Sequence, residues 1–391
     1  MQSQQNEEKK IVSTFSFASF LHDMGSDMVY AVWPLFLTNV LGANMAVLGF
    51  IDGLGDALVS ISQAISGYIS DRIRRRKIFI WTGYLFGALA KVGYAFTTSW
   101  PWIIPFRVLD RAGKMRGSPR DAMIADVSTR DDRAKNFGIL RAMDNLGAVF
   151  GIVIAIALIN WIGYRELFLL AAIPSLLGTA LVFFAIKEKP LEHITLYKGF
   201  AFKDIDKNFR LFIVLSAIFS LGSFSYSFLL IYAQKSGFSV GFVPVLYLIF
   251  NAFAFISSLP FGRLADHIGR KPVLFVSFIL WALVSFALIA RQSYWFVIAA
   301  FMLYGLHKGA LEPVQKAFVS ELAPSEYRSS GLGTFQLVTG LAALPASFLA
   351  GILWDSVSIA SPFYFSLAAS ALAILLLCFV KEDRSRTVLE R

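Results

Sequence analysis

The sequence predicts an all-α membrane protein with twelve transmembrane helices in two pseudo-symmetric six-helix bundles. Its composition, its row of apolar segments and an internal repeat support this fold class. Of the 391 residues, 57% are hydrophobic and 16% are charged, whereas about 45 to 50% of the residues of an ordinary soluble domain are apolar. A membrane-spanning helix needs about 20 mostly apolar residues, so twelve of them need roughly 240. The composition therefore argues against a soluble enzyme.

Twelve apolar segments follow one another along the chain. The first six lie at 12–38, 46–70, 78–97, 101–126, 136–160 and 166–186, and the other six lie at 209–234, 242–264, 273–291, 294–320, 332–354 and 359–380. The first segment has no small-residue cleavage site, so we expect it to be retained. The segments predict an N-terminal bundle at 1–186, a polar linker at 187–208 and a C-terminal bundle with a short tail at 209–391.

Lys and Arg residues concentrate in alternate connections between these segments, at 72–77, 130–135 and 187–207. Because cytoplasmic loops carry an excess of these residues, we expect both termini and the linker to be cytoplasmic and the protein to lie in the cytoplasmic (inner) membrane. The net charge of +10 then follows from topology and from contact with membrane lipid, and no nucleic-acid partner is expected. The single cysteine, Cys378, excludes an intramolecular disulfide. We expect a monomer without a metal or cofactor.

An internal repeat relates the two halves. Gly262 follows Gly67 by 195 residues (262 minus 67), and the acid at position 126 has its counterpart at 321 by the same offset. The repeated residues are Gly67, Asp71, Arg75 and Asp126 in the first half and Gly262, Asp266, Arg270 and Glu321 in the second. A constant offset over about 60 residues indicates a duplicated six-helix unit.

The repeated pattern Gly-x-x-x-Asp-x-x-x-Arg-[Arg/Lys] resembles a signature of the major facilitator superfamily of secondary transporters, and the resemblance covers nearly the whole chain. It implies the twelve-helix fold of that family and alternating access. It also implies that Gly67 and Gly262 allow close helix approach. The Asp and Arg of each copy would belong to a cytoplasmic charge network that stabilises the outward-open state. From the repeat, we expect Asp126 and Glu321 to be the third members of this network. Arg74 and His267 depart from the family pattern, which usually has glycine and arginine there.

The fourth predicted helix carries a stripe of ionisable residues. At helical spacing one face presents Arg107, Asp110, Arg111, Lys114 and Asp121, with Arg116 and Arg120 beside it. A charge at bilayer depth costs about 2.5 to 3.5 kcal/mol, so the stripe must face partners or a water-filled cavity. Two interpretations stay open: a packing seam in which Asp110 pairs with Lys114, and a cationic cavity wall that binds an anionic group of a substrate.

Acids occur in pairs four residues apart on the first two predicted helices. Close carboxylates raise one another's proton affinity, which a proton-coupling site requires. The alternative is that these acids neutralise nearby bases. Beyond the helix 4 stripe, the candidate substrate or coupling residues are Asp23, Asp27, Asp52, Asp56, Asp144, His307 and Glu312.

The sequence contains no phosphate-binding loop and no hydrolase or metalloprotease motif, which argues against ATP-driven transport and against an enzyme. We therefore predict a secondary active transporter that moves a small charged or zwitterionic organic solute by proton-coupled efflux. Asp27, Asp56 and Asp110 are the candidate proton carriers, and the partners are the solute and membrane lipid. Two alternatives remain: a cation or divalent-metal exporter that uses the carboxylates of the first two helices, and a non-transporting membrane receptor on the same fold.

Overall fold

The computed structural model describes residues 2–73, 75–188, 206–290, 293–323 and 328–382. Within these ranges it describes only the backbone of residues 2–7, 71, 130–131, 133–134 and 328–330. Every regular element of the described chain is helical. This confirms the predicted all-α fold class.

The first six predicted helices correspond to α1 (Gln2–Tyr30), α2 (Met45–Ile73), α3 (Lys77–Phe96), α4 (Trp100–Ala112), α5 (Gly117–Val127) and α6 (Arg130–Ala185). A 3-10 turn, Gly113–Arg116, divides the fourth predicted helix into α4 and α5. The fifth and sixth predicted helices both lie within α6, whose helical backbone is interrupted at Gly163 (φ 80°). Glycine tolerates this left-handed conformation because it has no Cβ.

The later helices are α7 (Lys207–Gly222), α8 (Ser227–Lys235), α9 (Val243–Ile268), α10 (Arg270–Ala290), α11 (Tyr294–Leu322), α12 (Arg328–Ser356) and α13 (Ser361–Phe379). The seventh predicted helix is broken between α7 and α8, where Ser223 has φ −110° and ψ 77°. A broken transmembrane helix leaves backbone and side-chain polar groups that must find partners inside the protein.

Nine helical segments of the described chain are long and apolar enough to cross a membrane. One of them, Lys135–Ala185, covers both the fifth and the sixth predicted spans. The two predicted spans outside this set are the first and the fourth. Both carry interior ionisable residues, Asp23 and Asp27 on the first and Arg107 and Asp110 on the fourth. Their stability in a bilayer therefore depends on the partners of those charges.

The helices form two compact units. Unit 1 comprises Met1–Ala43, Leu54–Lys198 and Val240–Val245, and unit 2 comprises Asn44–Gly53, Gly199–Ser239 and Leu246–Arg391. The helix α2 thus begins in unit 2 and continues in unit 1.

Close backbone approach positions the charged helices of unit 1. A Cβ on Gly147 or on Gly151 of α6 would clash with a backbone carbonyl oxygen of α1. A Cβ on Gly83 of α3 would lie 2.6 Å from the carbonyl oxygen of Gly113. Small residues at helix interfaces allow such contacts in membrane proteins. They bring α1, α3 and α4 close enough for their polar side chains to meet.

Candidate functional site

Asp110 is the centre of a buried charge cluster in unit 1. Its Oδ2 atom accepts a hydrogen bond from the Tyr30 hydroxyl at 3.0 Å and lies 3.9 Å from Arg107 Nη1 and 3.6 Å from Arg111 Nε. Asp110 is 3% exposed. The two guanidinium groups are the cations closest to this buried carboxylate, and the hydroxyl adds a hydrogen-bond donor. We name Tyr30, Trp33, Arg107, Asp110 and Arg111 the Asp110 cluster.

Aromatic rings hold the two arginines of this cluster. The Arg107 guanidinium lies 4.3 Å from the centroid of the Trp33 ring, and that of Arg111 lies 4.7 Å from the Tyr30 ring. A desolvated cation–π contact contributes about 2 kcal/mol or more. On the other side, a Cβ on Gly55 would lie 3.2 Å from the Nε atoms of both arginines. The glycine therefore provides the space that these side chains occupy.

A second group of charges lies around Arg116 and Arg120. Arg116 Nη2 lies 3.7 Å from Asp23 Oδ1, and its guanidinium lies 4.8 Å from the Tyr84 ring centroid. Arg120 Nη1 donates to Ser19 Oγ at 2.6 Å, and Ser19 shares a hydrogen bond of 2.8 Å with the Tyr84 hydroxyl. Both arginines are buried. They therefore belong to the interior and do not merely flank the predicted stripe.

The 3-10 turn explains this difference from the predicted stripe. It has about 3.0 residues per turn in place of 3.6, so the residues after Gly113 leave the helical phase set by Arg107 and Asp110. The predicted Asp110–Lys114 pair is replaced by the pairs of Asp110 with Arg107 and Arg111.

Lys91 adds another buried cation. It is 1% exposed, and its ammonium group donates to the carbonyl oxygen of Gly87 at 3.1 Å. A Cβ on Gly87 would also lie 2.6 Å from the Cε1 atom of His22. The His22 ring packs edge-on against Tyr84, and its Nδ1 atom has no hydrogen-bond partner among the described residues. Polar groups with unfilled hydrogen-bonding capacity thus lie near the Asp110 cluster.

Buried cations outnumber buried acids in the described part of unit 1. The acid is Asp110, and the cations are Arg76, Lys91, Arg107, Arg111, Arg116 and Arg120. The other interior acids are partly exposed: the side chains of Asp23 and Asp144 are 19% and 16% exposed. Since each buried charge needs compensation, the interior of unit 1 favours a negatively charged group.

The predicted acid pairs lie in unequal surroundings. Asp23 and Asp27 are both half-buried on α1, whereas Asp52 is buried in unit 2 and Asp56 is exposed in unit 1. Asp144 of α6 accepts a hydrogen bond from Arg141 at 3.2 Å. The four-residue spacing on α2 therefore does not place its two acids in one environment.

His307 of unit 2 is surrounded by packed rings. Its Nδ1 atom lies 2.8 Å from the carbonyl oxygen of Ser277, a distance that assigns the ring proton to Nδ1. Its ring lies 5.6 Å from that of Trp281 and 5.7 Å from that of Phe219. Glu312, on the same helix, is exposed. Within the part of the chain that the structure describes, neither candidate has a set of charged partners like that of Asp110.

An ion pair lies at the corresponding helix end of each unit. In unit 1, Arg76 pairs with Asp126. In unit 2, Arg270 Nη2 lies 3.0 Å from both Asp266 Oδ1 and Glu321 Oε1. Arg76 therefore takes the position predicted for Arg75.

This shift has a simple cause. Arg76 follows Asp71 by five residues, whereas Arg270 follows Asp266 by four, and Arg75 is exposed. The side chain of Asp71 lies outside the described residues. A Cβ on Gly67 would lie 3.4 Å from Ser118, whereas one on Gly262 would meet open space. The distance at Gly67 is an ordinary van der Waals contact, so the close helix approach that the resemblance implies stays a prediction for both copies.

Two glutamates complete these networks. The carboxylate of Glu188 accepts the backbone N–H groups of Arg76 and Lys77, and that of Glu382 accepts those of Arg270 and Lys271. Each glutamate thereby satisfies donors at the start of a helix. These glutamates were not predicted from the sequence. Their residue numbers nevertheless follow the repeat, because 382 minus 188 and 270 minus 76 both equal 194.

Comparisons with known proteins identify the family of this chain. Residues 15–243 and 210–391 match the Major Facilitator Superfamily. The chain is 37% identical, over 389 residues that cover 96% of each chain, to an uncharacterized MFS-type transporter of Methanocaldococcus jannaschii. It is 24% identical to multidrug resistance protein 2 of Bacillus subtilis over 376 residues, 92% of each chain.

Solved structures show the same fold. The crystal structure of a D-xylose–proton symporter superimposes with a TM-score of 0.79 at 16% identity, covering 96% of this chain and 98% of that one. The family match and the archaeal relative each span nearly the whole chain. This multi-pass membrane protein therefore belongs to the Major Facilitator Superfamily and is a transporter.

Proposed function

We propose that this transporter moves a small organic solute with a negatively charged group, either an anion or a zwitterion, across the cytoplasmic membrane by alternating access. The observation that carries the proposal is the excess of buried cations over buried acids in unit 1. We infer proton-coupled efflux with both termini cytoplasmic. The similarity to a multi-drug resistance efflux pump of Streptococcus pneumoniae supports export, and the basic connections support the orientation.

The Asp110 cluster is the proposed site for the negative group. Its two guanidinium groups each lie over an aromatic ring, that of Arg107 over Trp33 and that of Arg111 over Tyr30. Arg111 Nε has no hydrogen-bond partner among the described residues. Planar guanidinium groups bind carboxylates and phosphates through such edge donors, often two at a time. Asp110 offsets part of the positive charge, and the solute would offset more of it.

The alternative of a divalent-metal exporter has less support. The described residues contain no group of three His, Cys, Asp or Glu side chains placed to hold a metal ion. Asp23, one of the acids that such a site would need, lies against Arg116. Hard divalent cations bind at sites with several oxygen ligands, and a guanidinium group beside such a site would repel them.

A thermal-stability screen of the detergent-purified protein tests the proposal. The candidates are organic carboxylates, organic phosphates, zwitterions, lipophilic cations and divalent metals. A ligand at a hundred times its Kd stabilises the folded protein by about 2.7 kcal/mol. We expect an anion or zwitterion to raise the melting temperature of the wild type and of Arg263→Ala, an exposed control in unit 2. Arg111→Ala should abolish the increase.

The same screen also defines the result that would contradict the anionic-solute proposal. If divalent metals stabilise the protein, anions do not, and Asp23→Asn abolishes the effect, the anionic-solute proposal is wrong and the carboxylate site of the alternative takes its place.

A further inference from the structure

A second group of cations adjoins the Asp110 cluster within unit 1. Lys91 and Arg116 are buried, and Lys114 is half-buried. Each of these three side chains interacts electrostatically with the other two. His22, which is 1% exposed, interacts with all three. We name His22, Lys91, Lys114 and Arg116 the Lys91 group.

The described residues leave much of the hydrogen-bonding capacity of the Lys91 group unused. The Lys91 ammonium has three N–H donors, of which one donates to the carbonyl oxygen of Gly87 at 3.1 Å. The buried Nδ1 atom of His22 has no hydrogen-bond partner among the described residues. Arg116 Nη2 lies 3.7 Å from Asp23 Oδ1, which is too far for a hydrogen bond. These side chains therefore keep donors that a ligand oxygen can accept from.

The acids near the Lys91 group do not offset its charge. Asp23 pairs with Arg116, whereas no described carboxylate lies within ion-pair distance of Lys91 or Lys114. Asp110 interacts electrostatically with both lysines, but it already pairs with the two arginines of its own cluster. Because a buried charge needs compensation, the Lys91 group favours a ligand group with negative charge.

Gly87 lies where the Lys91 group meets the Asp110 cluster. A Cβ on Gly87 would lie 2.9 Å from His22 Nε2 and 3.8 Å from Asp110 Oδ1. The arginines of the Asp110 cluster lie at the other carboxylate oxygen, Oδ2. Asp110 thus has cations of its own cluster at one oxygen and His22 near the other. Since its carboxylate repels a negative charge placed beside it, two separate anionic groups fit this arrangement better than one.

We propose that the Lys91 group is a second anionic subsite and that the transported solute is a dianion, with two acidic groups joined by a short chain. The inference rests on the proposed function, in which the Asp110 cluster binds the first acidic group. The second group would accept hydrogen bonds from the ammonium groups of Lys91 and Lys114 and from the imidazole N–H of His22. A hydrogen bond to a charged group contributes about a factor of ten or more in affinity. A dianion should therefore bind at least about ten times more tightly than a monoanion of the same length.

Isothermal titration calorimetry of the full-length protein in detergent tests this inference with matched probes at neutral pH. The probes are butyrate, succinate, which has a second carboxylate, and 3-phosphonopropionate, in which a phosphonate replaces one carboxylate of succinate. We expect at least one dianion to bind about ten times more tightly than butyrate to the wild type and to Lys235→Gln, an exposed control in unit 2. In Lys91→Gln the ratio of the two Kd values should fall towards one. The tighter dianion identifies the second acidic group as a carboxylate or a phosphoryl group.

Two results would overturn the inference, and they differ in what they say about the proposed function. Equal affinity of the wild type for butyrate and both dianions would remove the second subsite and leave the anion site of the Asp110 cluster in place. If none of the three probes binds, the proposed function fails together with the inference.

A second variant covers the case in which Lys91→Gln does not fold. Lys114 is half-buried and forms no ion pair with a described residue, so Lys114→Gln breaks no such contact. We expect it to lower the preference for the dianion over butyrate, and an unchanged preference would contradict the assignment. Arg111→Ala should instead weaken the binding of all three probes, which distinguishes loss of the first subsite from loss of the second.

Discussion

The two units share their charge networks and differ in their interiors. Arg76 with Asp126 and Glu188 in unit 1 corresponds to Arg270 with Glu321 and Glu382 in unit 2. In contrast, the repeat offset of 195 takes Arg107, Asp110 and Arg111 to Met302, Gly305 and Leu306. The helix-end ion pairs therefore recur in both halves, whereas the interior charges of α4 do not. We infer that the networks serve the conformational cycle common to both halves and that the unit 1 interior serves the solute.

The interior of unit 2 is built from stacked rings. Phe219 and Phe278 stack with centroids 4.0 Å apart, and Trp281 donates its indole N–H to the carbonyl oxygen of Gly222 at 3.1 Å. The indole N–H of Trp281 thus has its hydrogen-bond partner inside the unit, whereas the buried His307 Nε2 and Ser370 Oγ have none among the described residues. The stacked rings offer an apolar counterpart to the charged interior of unit 1.

The largest effect is expected from Asp110→Asn. Removing the acid leaves Arg107 and Arg111 without their buried counter-charge, and breaking a buried ion pair in this way costs about 3 to 5 kcal/mol. The free energy of unfolding, measured by denaturant titration in detergent, should fall by this amount. The control Asp132→Asn removes a surface acid that pairs with the exposed Lys135 and should cost no more than about 1 kcal/mol. Equal losses in both variants would contradict the distinction between interior and peripheral charges.

A smaller effect is expected where α1 and α3 approach one another. The Cβ of Gly87→Ala would press on the buried His22 ring, and such overpacking costs about 1 to 3 kcal/mol. Gly138→Ala is the matched control, since a Cβ at this position would have no described atom within 4 Å. Alanine there should stabilise the helix by about 0.5 to 1 kcal/mol. Thermal denaturation of both variants measures the difference, and a stabilised Gly87→Ala would show that the polar interior of unit 1 is loosely packed.

The smallest effect is expected from two matched variants, one in each unit, which test how similar the helix-end ion pairs are. Glu188→Gln and Glu382→Gln each remove a negative charge from the start of a helix, which costs about 0.3 to 1 kcal/mol. Because the two networks are alike, the two variants should lose equal stability. The stability of each variant against temperature provides the measurement. A loss confined to one unit would show that the networks, like the interiors, have diverged.

Much of the fold follows from simple sequence features. Long apolar segments and a constant repeat offset predict the helices because each span must bury about 20 residues in lipid. The interior positions of Arg116 and Arg120 did not follow, since nothing in Gly113-Lys-Met-Arg116 signals a 3-10 turn. The hydrogen bonds of Asp52 with Ser225 and Ser227 also escaped prediction, because partners more than 170 residues away leave no local pattern.

Transport by proteoliposomes tests the central claim most directly. Vesicles containing the purified protein are given the radiolabelled anion or zwitterion that stabilises it, together with an imposed proton gradient. The account predicts gradient-dependent movement of the solute by the wild type and by Arg263→Ala, and its loss in Arg111→Ala. Movement at the wild-type rate in Arg111→Ala would show that the solute does not use the Asp110 cluster.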